Sequence, residues 1–292
     1  MQAQHYLIDK NIRENTKRRQ SFNELATKTF GLSFENWYQN GYWTEDYRPY
    51  ALLEGDKVIA NVSVNIIDLE WEHQTRKYIQ LGTVMTDEAY RNQGLSRILM
   101  EEVMKDWADC CDSMYLFAGE DVLDFYPKFG FVKADEHQQR LAIQKKETLI
   151  QALDMSVKED IQKLMTYYAY GNPYAALSMQ NNTGLLMFYC SQFLRDCVYY
   201  VKDYDAILVA EMYEEKLICY DVYAPEAGAI EELLGAFASE KIKEALLGFT
   251  AKEVFKLQGD LLQEEDTTLF ILKGKENLFA KHPLMFPMLS HA

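Results

Sequence analysis

The chain has 292 residues, 48% of them hydrophobic and 26% charged, with a net charge of −15. Its length suggests two domains, and its composition is that of an ordinary soluble globular protein whose core needs no covalent staples. The acidic balance argues against a nucleic-acid partner, because no cationic excess displaces counterions; it serves solubility and favours an amine-bearing partner through long-range steering.

Five cysteines, at 110, 111, 190, 197 and 219, form no Cys-x-x-Cys and no metal-ligand spacing. They read as reduced thiols of a cytoplasmic protein. The opening "MQAQHYLIDKNIREN" lacks the apolar segment of a secretory signal. No apolar run reaches the ~18 residues that a membrane span requires. No metal, membrane or nucleic acid is therefore expected.

Residues 15–30 have Phe22, Leu25, Ala26 and Phe30 at helical spacing. An aromatic stretch follows, with Trp37, Tyr38, Tyr42, Trp43, Tyr47 and Tyr50. "YALLEGDKVIANVSVNIIDLEWE" predicts a strand, an acidic turn at Glu54–Lys57 and a long strand with alternating apolar residues. "RKYIQLGTVMT" predicts a further strand. Next comes a helix whose Leu95, Ile98, Leu99, Val103 and Trp107 share one face. "SMYLFAG" reads as a short strand, and 77–117 as a right-handed parallel crossover. "LDFYPKFGFV" reads as a helical turn broken by Pro127 and Gly130, and "QQRLAIQ" as the last strand of a first unit.

The second half repeats that plan. It gives helices, a strand, an acidic turn at Tyr213–Lys216, a strand, a loop, a helix and a strand at "TTLFILKG". The apolar tail "HPLMFPMLSHA" should pack rather than float. The domain reading is 1–147 and 148–292, with a soft border.

The loop "RNQGLS" has the properties of an anion seat. A helix start offers free N–H groups and partial positive charge. Gly94 permits unusual backbone angles and close approach. Arg91 adds a full charge, and the small Ser96 can donate a hydrogen bond. Taken with the flanking strand and helix, Arg91-Asn92-Gln93-Gly94-Leu95-Ser96 resembles the acetyl-CoA loop of the GNAT N-acetyltransferases, Gln/Arg-x-x-Gly-x-Gly/Ala, with Ser96 as a mild departure. "VMTDEAYR" and "FYPKFGF" resemble that family's strand-to-loop segment and its Phe-Tyr-x-x-x-Gly-Phe element. The resemblance covers roughly residues 15–143. "WYQNGYWTEDYRPYALLEG" is more loosely similar to the enhanced-intracellular-survival (Eis) branch.

The resemblance implies a mixed α/β (α+β) class, with a GNAT fold followed by a degenerate GNAT-like domain. It implies N-acetylation of an amine, by direct attack on acetyl-CoA and without a metal. Val84, Met85 and Thr86 would meet the pantetheine and acetyl carbonyl. Asn92 to Arg97, with Arg91, would hold the pyrophosphate. Tyr126 would be the general acid; the bland alternative is a core aromatic. The histone-type branch has a glutamate where this chain has Tyr78, Ile79 and Gln80. Asp68, Glu70, Glu120, a water chain or the Ala292 carboxylate remain as bases. The family's usual Asn is Gly119 here. The aromatics at 37–50, near Glu35, Glu45 and Asp46, line either an acceptor cage for a cation or a core. In the second half "APEAGAIEE" has Glu226 and Gly228 but no arginine. That half would shape the acceptor pocket or an oligomer interface, a homo-oligomer included, or serve as a separate binding module. A non-catalytic acetyl-CoA sensor and a peptide acetyltransferase are the alternatives to a small-molecule enzyme.

Overall fold

Asn15 begins the first long helix because its side chain accepts from the backbone N–H groups of Lys17 and Arg18. In the computed structural model, which describes residues 6–252, 258–263 and 267–291, the chain starts with β1 (Leu7–Asp9), α1 (Thr16–Phe30) and α2 (Glu35–Gln39). The hairpin β2 (Tyr47–Glu54) and β3 (Lys57–Trp71) leads to β4 (Gln74–Thr86), α3 (Leu95–Trp107), β5 (Ser113–Ala118), β6 (Phe131–Lys133) and β7 (His137–Ala142). There follow β8 (Ile150–Ala152), α4 (Lys158–Tyr168), β9 (Leu177–Gln180), α5 (Thr183–Phe188) and β10 (Val198–Val201). The chain closes with β11 (Ala206–Tyr213), β12 (Lys216–Tyr223), α6 (Ile230–Gly235), β13 (Glu244–Leu247), β14 (Gln258–Leu261) and β15 (Thr268–Leu272).

These strands form two mixed sheets. The first runs β1-β2-β3-β4-β5-β15-β6, with β9 added against the far end of β3. The second runs β14-β7-β13-β12-β11-β10-β8. The crossover through α3 joins β4 and β5 in parallel, as expected. The echo in the second half is equally clear: β12, α6 and β13 form a parallel pair with a helix between.

The sheets exchange strands, which corrects the placement of two of them. Strand β7, expected to finish the first unit, pairs with β13 and β14 in the second sheet. Strand β15, expected in the second unit, lies between β5 and β6 in the first. The expected border at 147/148 therefore does not coincide with the division between sheets. Alternating apolar residues state that a segment is a strand, not which sheet it joins.

Both faces of the first sheet are covered. Val62, Val64, Ile79, Leu81, Met114 and Leu116 pack under Leu95, Leu99, Met100 and Val103 of α3. Ile98, expected on that face, is 43% exposed. The opposite face meets Phe22, Leu25 and Ala26 of α1 and, from the second half, Leu185, Leu186 and Phe188 of α5. On this buried face β3 carries Asn61, Ser63 and Asn65 at alternate positions. Polar groups in such a place must find partners or serve a ligand.

One acid is buried in the second half. Asp221 of β12 accepts from Asn172 Nδ2 at 2.5 Å and from the Val222 N–H at 2.9 Å. Burial nevertheless pushes its pKa from the ordinary 3.8 up to about 6. In that interval the folded chain holds a proton that the unfolded chain has released. Stability therefore falls as pH rises through the window and stays reduced above it. Asp221→Asn should remove this dependence. Urea unfolding at intervals from pH 4 to 7 should show the variant gaining on the wild type up to about pH 6, then running parallel.

Candidate active site

Strands β4 and β5 pair only from Tyr78–Ser113 to Leu81–Leu116. Beyond that point β4 stays with β3, and β5 stays with β15. A gap opens between them, bordered by Gly82–Thr86 on one side and Phe117–Ala118 on the other. A bulge marks the parting, where the register slips between Asn61 and Ser63 opposite β4. Thr83 takes the unusual φ of 48° there. The bulge is held from three sides. The Tyr47 hydroxyl lies 3.0 Å from Thr83 Oγ1, Ser63 Oγ donates to Tyr47 at 2.9 Å, and Asn61 Nδ2 donates to the Thr83 carbonyl at 2.9 Å. Val84, Met85 and Thr86 thus lie beyond the end of the β5 ladder; Met85 and Thr86 keep register with Asn61 and Ala60 of β3, and the edge of β4 that faces the gap has no strand across from it among the described residues.

The "RNQGLS" loop lies at the end of β4. Asp87 turns the chain by accepting from the Ala89 N–H, and Lys57 pairs with it at 2.9 Å. Asn92 and Gly94 both adopt left-handed angles, φ 63° and 77°. Gly94 is the residue before α3, and no side chain caps the free N–H groups of Leu95, Ser96 and Arg97. A Cβ built on Gly94 meets nothing within 4 Å, so its backbone angle, not protein crowding, calls for glycine. Ser96 Oγ and Thr86 Oγ1 are 2.9 Å apart and tie the helix start to the edge of the gap. Arg91, Asn92, Gln93 and Arg97 are exposed. Neither arginine makes an ion pair among the described residues, in a chain of net charge −15. Tyr6 donates to Gln93 Oε1 at 3.3 Å.

Tyr126 begins a 3-10 turn after β5 and is 5% exposed. Phe125, Phe131 and Phe270 surround its ring. Burial pushes its pKa up to about 12, so the phenol keeps its proton at neutral pH. Two of the expected bases are displaced. Asp68 and Glu70 pair with Lys77 and Thr75 at the other end of β3, at least five residues or roughly 16 Å from Ser63 at the parting. Glu120 is exposed just after β5. Ala292 lies outside the described residues.

The aromatic stretch divides between the two earlier readings. Trp43 and Tyr50 are core, and Arg19 already covers the Tyr38 ring at 3.7 Å. Phe34, Trp37, Tyr47 and Phe188, however, wall a cavity of about 50 Å³ with Asp46, Asn65 and Thr83. That volume exceeds what one water needs, and would take the head of a small molecule. Of the three nearby acids, Glu35 is paired with Arg19 and Glu45 with Arg13. Asp46 alone lines the cavity, and it forms no ion pair among the described residues. The alternating Asn-x-Ser-x-Asn of "NVSVN", inside an otherwise apolar strand, was the sequence signal for this polar wall.

The second sheet parts in the same way, but its opening is filled. Gly248 donates to the Cys219 carbonyl at 2.7 Å, and its own carbonyl, on the same side, accepts from the Met288 N–H at 2.8 Å. The tail therefore lies where a ligand would otherwise enter. A Cβ on Gly248 would come within 2.8 Å of the Tyr220 backbone. The N–H of Gly228, at the counterpart of the "RNQGLS" loop, is taken by the Tyr174 hydroxyl at 3.0 Å.

Residues 17–131 match the model of the acetyltransferase (GNAT) family. This segment is similar to a GNAT acetyltransferase domain. Solved structures extend the likeness of fold over both sheets. A probable N-acyltransferase from Enterococcus faecalis is 13% identical with a TM-score of 0.60, covering 92% of this chain and 70% of its own. Eis1 from Mycobacterium abscessus is 13% identical with a TM-score of 0.55, covering 91% and 72%. A putative acetyltransferase from Pyrococcus horikoshii is 10% identical with a TM-score of 0.51, covering 99% and 97%. A sequence comparison with curated proteins finds no match. Among the described residues no group of three or more His, Cys, Asp or Glu could hold a metal, and no helix is long and apolar enough to cross a membrane.

Tyr47→Phe should leave Ser63 and Thr83 short of a partner at the bulge. A loss of about 1–3 kcal/mol in denaturant unfolding is expected.

Proposed function

We propose that the protein transfers an acetyl group from acetyl-CoA to the amine of a small molecule by direct attack. The observation that carries this reading is the parting of β4 and β5 beside an uncapped helix start with two unpaired arginines. The N–H groups of Leu95, Ser96 and Arg97, with Arg91 and Asn92 to Gly94 around them, hold the pyrophosphate. Val84, Met85 and Thr86 take the pantetheine and the acetyl carbonyl in place of a strand. A fixed N–H there stabilises the developing oxyanion, an effect of ~2.7–4 kcal/mol in comparable sites. Tyr126 gives its proton to the departing thiolate. The acceptor enters from the face of Tyr47, Thr83 and Asp46, where the small cavity supports a small amine over a peptide and Asp46 supports a cationic one. Holding both reactants together supplies much of the rate. All five cysteines are free thiols, which fits work in the cytoplasm. The 1–147 unit would carry the chemistry and the remainder would shape the acceptor side, with β15 and the tail as its contributions to the first sheet.

Gln80, neutral and buried where the histone-type relatives have a glutamate, favours the second reading, an acetyl-CoA sensor without turnover. A thiol-release assay over an amine panel, beside thermal shift with CoA, separates the two. Thiol release with at least one amine is expected; a CoA shift with no release for any acceptor overturns the enzyme reading. Gly94→Glu places a carboxylate and a strained backbone at the helix mouth. CoA binding should fall at least tenfold by calorimetry, while the fold is retained. Tyr126→Phe should lower the turnover rate at least tenfold with CoA affinity unchanged. An unchanged rate would remove Tyr126 from the chemistry.

A further inference from the structure

Six buried side-chain polar atoms lack a hydrogen-bond partner among the described residues, and four of them gather on one face of the first sheet. Asn65 and Gln80 are direct cross-strand partners, and Gln80 in turn lies opposite Tyr115 of β5. Asn61 is two alternations from Asn65 on the same face. Phe286 of the tail stacks on Tyr115 at 3.9 Å, and His291 lies against Phe117, two residues further along β5, at 4.1 Å. Phe117 is the first residue of β5 beyond its last pair with β4. The imidazole of His291 therefore sits at the level where the gap opens, on the acceptor side.

Its orientation is fixed. The Tyr189 hydroxyl donates to the His291 carbonyl at 2.5 Å, one residue after Phe188 of the cavity wall. The imidazole donates to the Phe286 carbonyl. Nε2 is shut off from solvent and has no partner among the described residues, so Nδ1 is the donor and Nε2 carries the lone pair. Burial lowers the pKa to about 4, which keeps the ring neutral and the lone pair free. A buried acceptor left open in this way costs free energy unless a ligand meets it.

We propose that His291 Nε2 is the proton acceptor of the transfer, hydrogen-bonded to the attacking nitrogen. The proposal rests on the acetyl-transfer reading above. The acceptor first loses its ammonium proton to water, and the lone pair of the neutral amine then forms the C–N bond to the acetyl carbon. The C–S bond breaks with its electron pair on sulfur, and the thiolate takes the Tyr126 proton. The proton leaving nitrogen goes to Nε2. As product leaves, water enters the vacated gap, takes one proton from the imidazolium and returns one to the tyrosinate, with no change of oxidation state. A weak base suffices, because the attacking nitrogen becomes cationic and strongly acidic once the new bond forms.

Two variants separate chemistry from packing. His291→Asn keeps a donor for the Phe286 carbonyl, and His291→Phe keeps a ring against Phe117. Both should lose at least thirtyfold in kcat with CoA affinity within twofold of wild type. His291→Ala should recover part of its rate in proportion to added imidazole, which a packing role would not produce. Asn and Phe variants within threefold of an active wild type overturn the assignment and leave acetyl transfer standing. A loss that imidazole does not relieve in the Ala variant assigns His291 to packing and also overturns it. A wild type that acetylates no amine overturns both readings.

Discussion

The parting of β4 from β5 after four pairs is the constraint on which the site depends. A continued parallel ladder would consume the backbone groups that β4 turns toward the gap between Val84 and Thr86. It would also leave no route between the two faces of the sheet. The bulge stops the ladder, and the strain at Thr83 is supported by three polar side chains on the buried face. Tyr47, Ser63 and Asn61 are thus structural and local to the site at once. The same parting aligns the end of β4 with the open start of α3, so that one turn of chain sets both a neutral slot and a cationic mouth.

The second half solves the same geometry in the opposite sense. Its sheet also parts, at Cys219 and Gly248, but the tail enters the opening and bonds to the edge. Asp221 lies nearby, and an acid there would repel a phosphate-bearing ligand. The filled opening is still useful. It anchors the segment that runs on to Tyr115 and Phe117, so the second sheet fixes a side chain over the gap of the first.

Much of this was legible in the residues, and the gaps have physical reasons. Helical spacing and Asn15 place α1, and the Glu54–Lys57 turn places the β2–β3 hairpin, because these are local signals. A glycine at 94, before an apolar-periodic helix, is a local signal of the same kind. The reason for glycine was only half read: a Cβ there has room in the protein, and the backbone angle makes the demand. The bases proposed from sequence were chosen by charge. Asp68 and Glu70 share a strand with the site but stand at its wrong end, since strand position depends on register. His291 gave no signal, because a lone histidine in an apolar tail has nothing beside it in sequence to mark its partners. The sheet membership of β7 and β15 is equally silent, as pairing 102 or more residues apart leaves no local trace.

The exchange of β7 and β15 also bears on how the molecule comes into being. Strand β15 fills the place between β5 and β6, so the first sheet cannot close until residue 272 is available. A nascent chain ending near residue 150 would hold β5 and β6 apart, each with an unpaired edge open to other chains. Loop closure across so long a stretch is entropically slow. The two sheets are therefore expected to reach their native form in one late, concerted event during synthesis, with the site completed only as the last strand docks.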